Sequence, residues 1–164
     1  MSLDSIEAKI GSLAPDFTLT ATNGQNITLT DFRGKKNVIV FFIRETTCPQ
    51  CRTHVGHLGQ LYSQFLEAGT DVIVILGEEM EKAKQYADSI GLPFPILCDP
   101  DRAVYNLYEL EKYFLLFQRT ASLVVDRSGI VRYLKRTTVP NVWLQESREL
   151  LGFILSLDED QPIA

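Results

Sequence analysis

Basic residues are in the minority in this chain. Against 21 acidic side chains stand 16 lysines and arginines, a formal net charge of -5, and the pI is about 5.0. Binders of nucleic acid or of anionic membranes concentrate basic charge on one face, so neither partner is expected. No apolar run approaches the ~20 residues that a membrane span needs. Met1 to Gly11 is mixed in character and holds no secretory hydrophobic region, so a cytoplasmic location is expected. Cysteine is scarce as well, with 3 in all: Cys48, Cys51 and Cys98. A disulfide scaffold uses an even number in a chain too small for a core. At 164 residues this chain can bury a sizeable core within one domain. No linker, repeat or low-complexity segment divides it. A single domain over residues 1–157 is expected, followed by a loose acidic tail over 158–164.

What is present is a Cys-x-x-Cys at an unusual address. Thr47-Cys48-Pro49-Gln50-Cys51 follows the apolar stretch Val38-Ile39-Val40-Phe41-Phe42-Ile43. Such a run reads as a strand buried on both faces. Apolar residues then recur at Val55, Leu58, Tyr62 and Phe65, one face of a helix. Pro49 suits the first helical position, where its missing N–H is no loss. The strand therefore delivers two cysteines to a helix N-terminus. Unpaired N–H groups and a partial positive charge stabilise an anion there. A cysteine so placed has its pKa drawn down to roughly 3.5–7.5. The residues alone leave three readings: a redox pair, half a zinc site, or two ordinary thiols. Zinc needs three or four ligands; His54 and His57 lie downstream, but no second Cys-x-x-Cys exists.

The remaining pattern alternates strand and helix. Asn23-Gly24 marks a turn between Pro15–Thr20 and Ile27–Leu29, a short hairpin. Val72–Leu76 is a second buried strand, and Met80, Ala83, Ala87 and Ile90 mark a second helix ended by Gly91. The Glu78–Lys82 stretch reads as its acidic N-terminus. Pro93–Leu97 is a short extended piece, and Asp99-Pro100 opens a short helix. Asp126-Arg127-Ser128-Gly129 joins a closing hairpin, and a last helix runs from about Asn141 to Leu157. Trp143 is read as packing at its start. This order predicts a parallel core with right-handed crossovers, with antiparallel strands added at one edge.

The order and the motif together resemble the thioredoxin fold, and more closely its alkyl-hydroperoxide-reductase/thiol-specific-antioxidant branch, the peroxiredoxins and peroxiredoxin-like proteins. Five stretches carry the resemblance: Gly11–Leu19, Leu29–Lys35, Val38–Cys51, Phe94–Asp101 and Ser122–Arg132. The resemblance implies an α/β thioredoxin-like fold, a central mixed β-sheet flanked by helices with an N-terminal β-hairpin extension. It also implies an oxidoreductase of protein or small-molecule disulfides or of peroxides. An external thiol system would serve as reductant, no cofactor or metal is expected, and a homodimer is possible. Peroxiredoxins carry Pro-x-x-x-Thr-x-x-Cys around the peroxide-reactive cysteine. Aligned on Cys51, that pattern puts Arg44 in place of Pro and Cys48 in place of Thr. Cys48 lacks the hydroxyl that orients a peroxide. Thr120 stands where thioredoxin-like reductases often place a cis-proline, and Arg119 matches the arginine that stabilises the thiolate.

Cys48, Cys51 and Arg119 are thus the expected catalytic residues, and Thr47, Arg44 and Thr120 the expected substrate contacts. The leading expectation is a thiol–disulfide oxidoreductase with Cys48 as exposed nucleophile and Cys51 resolving. The alternatives are a peroxidase with Cys51 attacking the peroxide and Cys48 resolving, and a non-enzymatic redox sensor. Cys98 is read as a half-buried small residue, and His54 as a solvated surface histidine.

Overall fold

The computed structural model describes residues 8–110, 119–137 and 146–160. Strands β1 (Thr18–Ala21) and β2 (Asn26–Thr28) form the N-terminal hairpin, with Gly24 at φ 85° in its turn. That left-handed conformation is one glycine adopts without steric cost. The chain continues through β3 (Asn37–Phe42), α1 (Pro49–Gln60), α2 (Tyr62–Glu67), β4 (Thr70–Leu76) and α3 (Met80–Ile90). Then come β5 (Ile96–Cys98), α4 (Ala103–Leu107), β6 (Thr120–Val125), β7 (Val131–Thr137) and α5 (Glu146–Asp160). Trp143 and residues 161–164 lie outside the described residues.

One seven-stranded sheet has the order β2-β1-β5-β4-β3-β6-β7. Its centre, β5–β4–β3, is parallel, and all other pairings are antiparallel. The mixed sheet expected from the sequence is therefore present, with the hairpin joined to it through β1 and β5. Alternate residues of each central strand serve two separate cores. Ile39, Phe41, Val72, Val74 and Leu76 pack under α1, α2, α3 and α5. Val38, Val40, Phe42, Ile73 and Ile75 face the other way, against Phe17, Val104, Tyr105 and Tyr108. All six residues of β3 are buried, which is why its sequence runs apolar without alternation from Val38 to Phe42. Each such large side chain contributes about 1.5–3 kcal/mol of burial.

The single helix expected after Cys48 is interrupted at Leu61, whose backbone sits at φ -92°, ψ 0°. Gly56 and Gly59 precede the break and weaken the helix there. Gly59 also has a packing role. A Cβ on it would come within 3.3 Å of Leu92 and Pro93, so α1 approaches the loop after α3 closely.

Candidate active site

The cysteines sit where β3 turns into α1. The end of the strand is held from below. The Tyr105 hydroxyl, fully buried, donates to the carbonyl of Ile43 and reaches that of Ile75 at 3.1 Å. Ile43 N–H in turn donates to Ile75 O at 2.9 Å. The carboxylate of Asp99 caps the short helix that carries Tyr105, accepting from the N–H groups of Val104 and Tyr105 at 3.0 Å each. The chain leaves this anchor through Arg44–Thr47. Cys48 N–H donates to Glu45 O at 3.2 Å, a tight turn that aims the next residues into the helix.

Cys48 is the N-cap of α1, Pro49 its first residue and Cys51 its third. The Cys48 Sγ accepts the backbone N–H of Cys51 at 3.2 Å. This is the contact a serine or threonine oxygen makes at an ordinary N-cap. The Cys48 pKa is lowered from 9.0 to about 6. The Cys51 thiol, donating to the Cys48 sulfur, is the largest cause; the Cys51 and Gln50 N–H groups and the Arg44 charge add to it, against burial. The same contact pushes Cys51 up, because its proton is the one being shared, and burial pushes it further. The N–H groups of Arg44 and Glu45 oppose that rise. The two sulfurs are thus unequal: the same contact draws the Cys48 pKa down and pushes the Cys51 pKa up.

The structure corrects two expectations about exposure. Cys48 is only 6% exposed and Cys51 1%, so both sulfurs lie beneath the surface rather than one standing exposed. His54 is no solvated histidine; it is 1% exposed, with its ring edge-on to Phe41 at 4.6 Å between centroids. Burial, with the positive charges of His57 and Lys135, lowers its pKa to about 3. It stays neutral at physiological pH.

The other singled-out residues take varied places. Arg44 pairs with Glu45 at 3.6 Å and acts on Cys48. Thr47 is exposed beside Cys48. Thr120 is buried at the start of β6. The register Phe42↔Ala121 continued one step puts it level with Ile43, beside the segment that leads into the cysteines. No cis peptide occurs among the described residues. Arg119 donates to Glu109 O at 3.3 Å. Cys98 is buried at 7% exposure at the end of β5, its pKa raised mainly by burial. Among the described residues no group of three or more His, Cys, Asp and Glu side chains could hold a metal ion. No helix among them is long and apolar enough to cross a membrane.

A buried strand end, a cysteine-capped helix and a mixed sheet in this order are features that known families share. The chain matches the AhpC/TSA family over residues 10–134. It belongs to that family. A chloroplastic peroxiredoxin Q of Suaeda salsa is 32% identical over 131 residues, covering 78% of this chain and 61% of the relative. The thiol-disulfide oxidoreductase ResA of Geobacillus thermodenitrificans is 33% identical over 124 residues, covering 75% and 67%. In fold, a peroxiredoxin Q mutant of Xylella fastidiosa superposes with a TM-score of 0.83 at 13% identity, over 92% of this chain and 98% of that one. AhpC of Enterococcus faecalis superposes at 0.80 and 19% identity, over 94% and 96%. The family member is an oxidoreductase.

The sequence reading missed Tyr105 and Tyr86. The pattern around Asp99 carried a trace of the first, since a tyrosine in a short buried helix needs a partner for its hydroxyl. Tyr86 stands on the apolar face of α3 with no local mark.

Proposed function

We propose that this member of the family is a thiol–disulfide oxidoreductase that cycles Cys48 and Cys51 between dithiol and disulfide. The observation that carries the reading is the N-cap position of Cys48, whose sulfur receives both the N–H and the S–H of Cys51. The Cys48 thiolate attacks a substrate disulfide, forms the mixed disulfide and expels one substrate thiolate. Cys51 loses its proton and attacks the Cys48 sulfur, expelling the second substrate thiolate. An external thiol then returns two electrons and two protons to the pair. Arg44 supports the Cys48 charge, and Thr47 at the mouth contacts the incoming disulfide, as does Thr120 beside the strand end. Arg119, which directly precedes β6, supplies positive charge that stabilises the thiolate. The proposal places the enzyme in the cytoplasm, with a homodimer to be sought by light scattering.

The test uses an aromatic disulfide, dithiobis(nitrobenzoate), which releases one coloured thiolate on attack and a second on resolution. Wild type gives two successive releases. Cys51→Ser gives one, with the adduct on Cys48; Cys48→Ser loses the fast phase. An adduct on Cys51, or a fast phase that survives Cys48→Ser, sinks the assignment.

A second reading, peroxide reduction by Cys51, is favoured by the Arg44 and Glu45 N–H groups directed at its sulfur. It predicts that one equivalent of hydrogen peroxide traps a sulfenic acid on Cys51 in Cys48→Ser, faster than on glutathione.

A further inference from the structure

Helix α3 brings one polar atom into the apolar core cluster that also holds the two cysteines. Tyr86 is 5% exposed and shares one core cluster with Cys48 and Cys51. Its hydroxyl is buried and has no hydrogen-bond partner among the described residues. That is costly: an unsatisfied buried hydroxyl gives up its water without replacement. Phenylalanine would fill the same space without the cost.

The ring lies under the guanidinium of a residue in the first turn of α1. Arg52, the residue after Cys51, lies over it at 5.8 Å from the ring centroid. The same guanidinium donates to the Ser89 hydroxyl at 2.9 Å and the Ser89 carbonyl at 3.0 Å. The Ser89 hydroxyl donates to Tyr86 O at 2.7 Å. Arg52 thereby ties α3, and Tyr86 on it, to the first turn of α1. The phenol is also electrostatically coupled to them. Burial pushes its pKa up most, the anionic forms of Cys51 and then Cys48 add to the rise, and Arg52 opposes it. It remains protonated throughout the neutral range, a donor and never an anion.

We propose that Tyr86 is the hydrogen-bond donor to the thiolate that forms on Cys51 during resolution of the mixed disulfide. This rests on the reading of Cys48 as nucleophile. In the resting dithiol Cys51 gives its proton to the contact with Cys48 and needs no donor. Once Cys48 is bonded to substrate sulfur, that contact is gone. Cys51 must then ionise in a buried site. Its proton leaves to solvent or with the departing substrate thiolate, the Cys51–Cys48 S–S bond forms, and the Cys48–substrate S–S bond breaks. Tyr86 keeps its own proton and supplies the hydrogen bond that the Cys51 anion lacks. The hydroxyl that is unsatisfied in one state is satisfied in the next.

Tyr86→Phe tests this with the two-release assay on the full chain. The first release, attack by Cys48, keeps its wild-type rate. The second, resolution by Cys51, slows about 10-fold or more, the range expected on losing a hydrogen bond to a charged group. The thermal midpoint of the reduced protein holds or rises, because an unsatisfied group has been removed. Resolution at the wild-type rate overturns the proposal. So does a lowered midpoint or failure to fold, either of which makes the hydroxyl structural. If wild type itself forms no Cys48 adduct, the underlying reading fails, and that outcome is seen in the first release alone.

Discussion

A pKa of about 6 on Cys48 has a calculable effect on reactivity. At pH 7 about nine-tenths of such a thiol is ionised, against about one-hundredth at an ordinary value near 9. That is roughly a 90-fold gain in thiolate. A less basic sulfur is also a poorer nucleophile, and with a Brønsted slope of about 0.4–0.5 three units remove roughly 20-fold. The net gain is roughly 5-fold at pH 7. At pH 6 the ionised fractions are about one-half and one-thousandth, and the net gain rises to roughly 25-fold. The relative advantage therefore grows as the pH falls. The perturbation is Cys51→Ala, which removes the S–H donor and keeps the N–H at 3.2 Å. Iodoacetamide trapping of Cys48, read by peptide mass across pH, reports the midpoint. Burial lowers every rate in the profile but leaves the midpoint unchanged. Wild type turns over near pH 6, and Cys51→Ala moves upward by about a unit or more. A wild-type midpoint near 9 refutes the thiolate assignment. An unshifted Cys51→Ala profile refutes the role of the shared proton and leaves the helix N-terminus as the cause.

His54, with its pKa lowered from 6.5 to about 3, makes the fold acid-sensitive. The unfolded chain protonates this ring below pH 6.5 and the folded one does not, so stability is fully present above 6.5 and falls toward pH 3. The slope is about 1.4 kcal/mol per pH unit; urea unfolding at pH 7 and 4.5 should show a smaller acid loss in His54→Phe than in wild type, and equal losses would contradict the burial. Tyr105→Phe strips a donor from the buried carbonyls of Ile43 and Ile75, and a destabilisation of about 1–3 kcal/mol is expected. An unchanged denaturation midpoint would show the strand end is held by other means. Cys98→Ala leaves both releases of the disulfide assay at wild-type rates, since its thiol is buried with a raised pKa; loss of either release would bring a third sulfur into the cycle.

The elements were largely legible because they rest on local pattern. The both-faces-apolar run of β3, the Asn23-Gly24 turn and the Asp126–Gly129 turn each announce themselves within a few residues. The cysteine address was legible for the same reason, since Pro49 between them marks the first helical position. The AhpC/TSA assignment followed from several such stretches in order. The break at Leu61 was not legible, because apolar spacing persists through it and only the backbone departs.

By itself, then, the sequence determined the strand–helix order and the pair of thiols at a helix start, both set by residues close along the chain. The cause that sets the two pKa values apart needed the folded geometry, because it depends on a hydrogen and a sulfur a few ångströms apart. The burial of His54, the two carbonyls held by Tyr105 and the placing of Tyr86 against Arg52 were likewise decided in tertiary structure. Each joins groups from separate elements, and solvation and hydrogen bonding respond to what surrounds an atom in space, which periodicity along the chain does not encode.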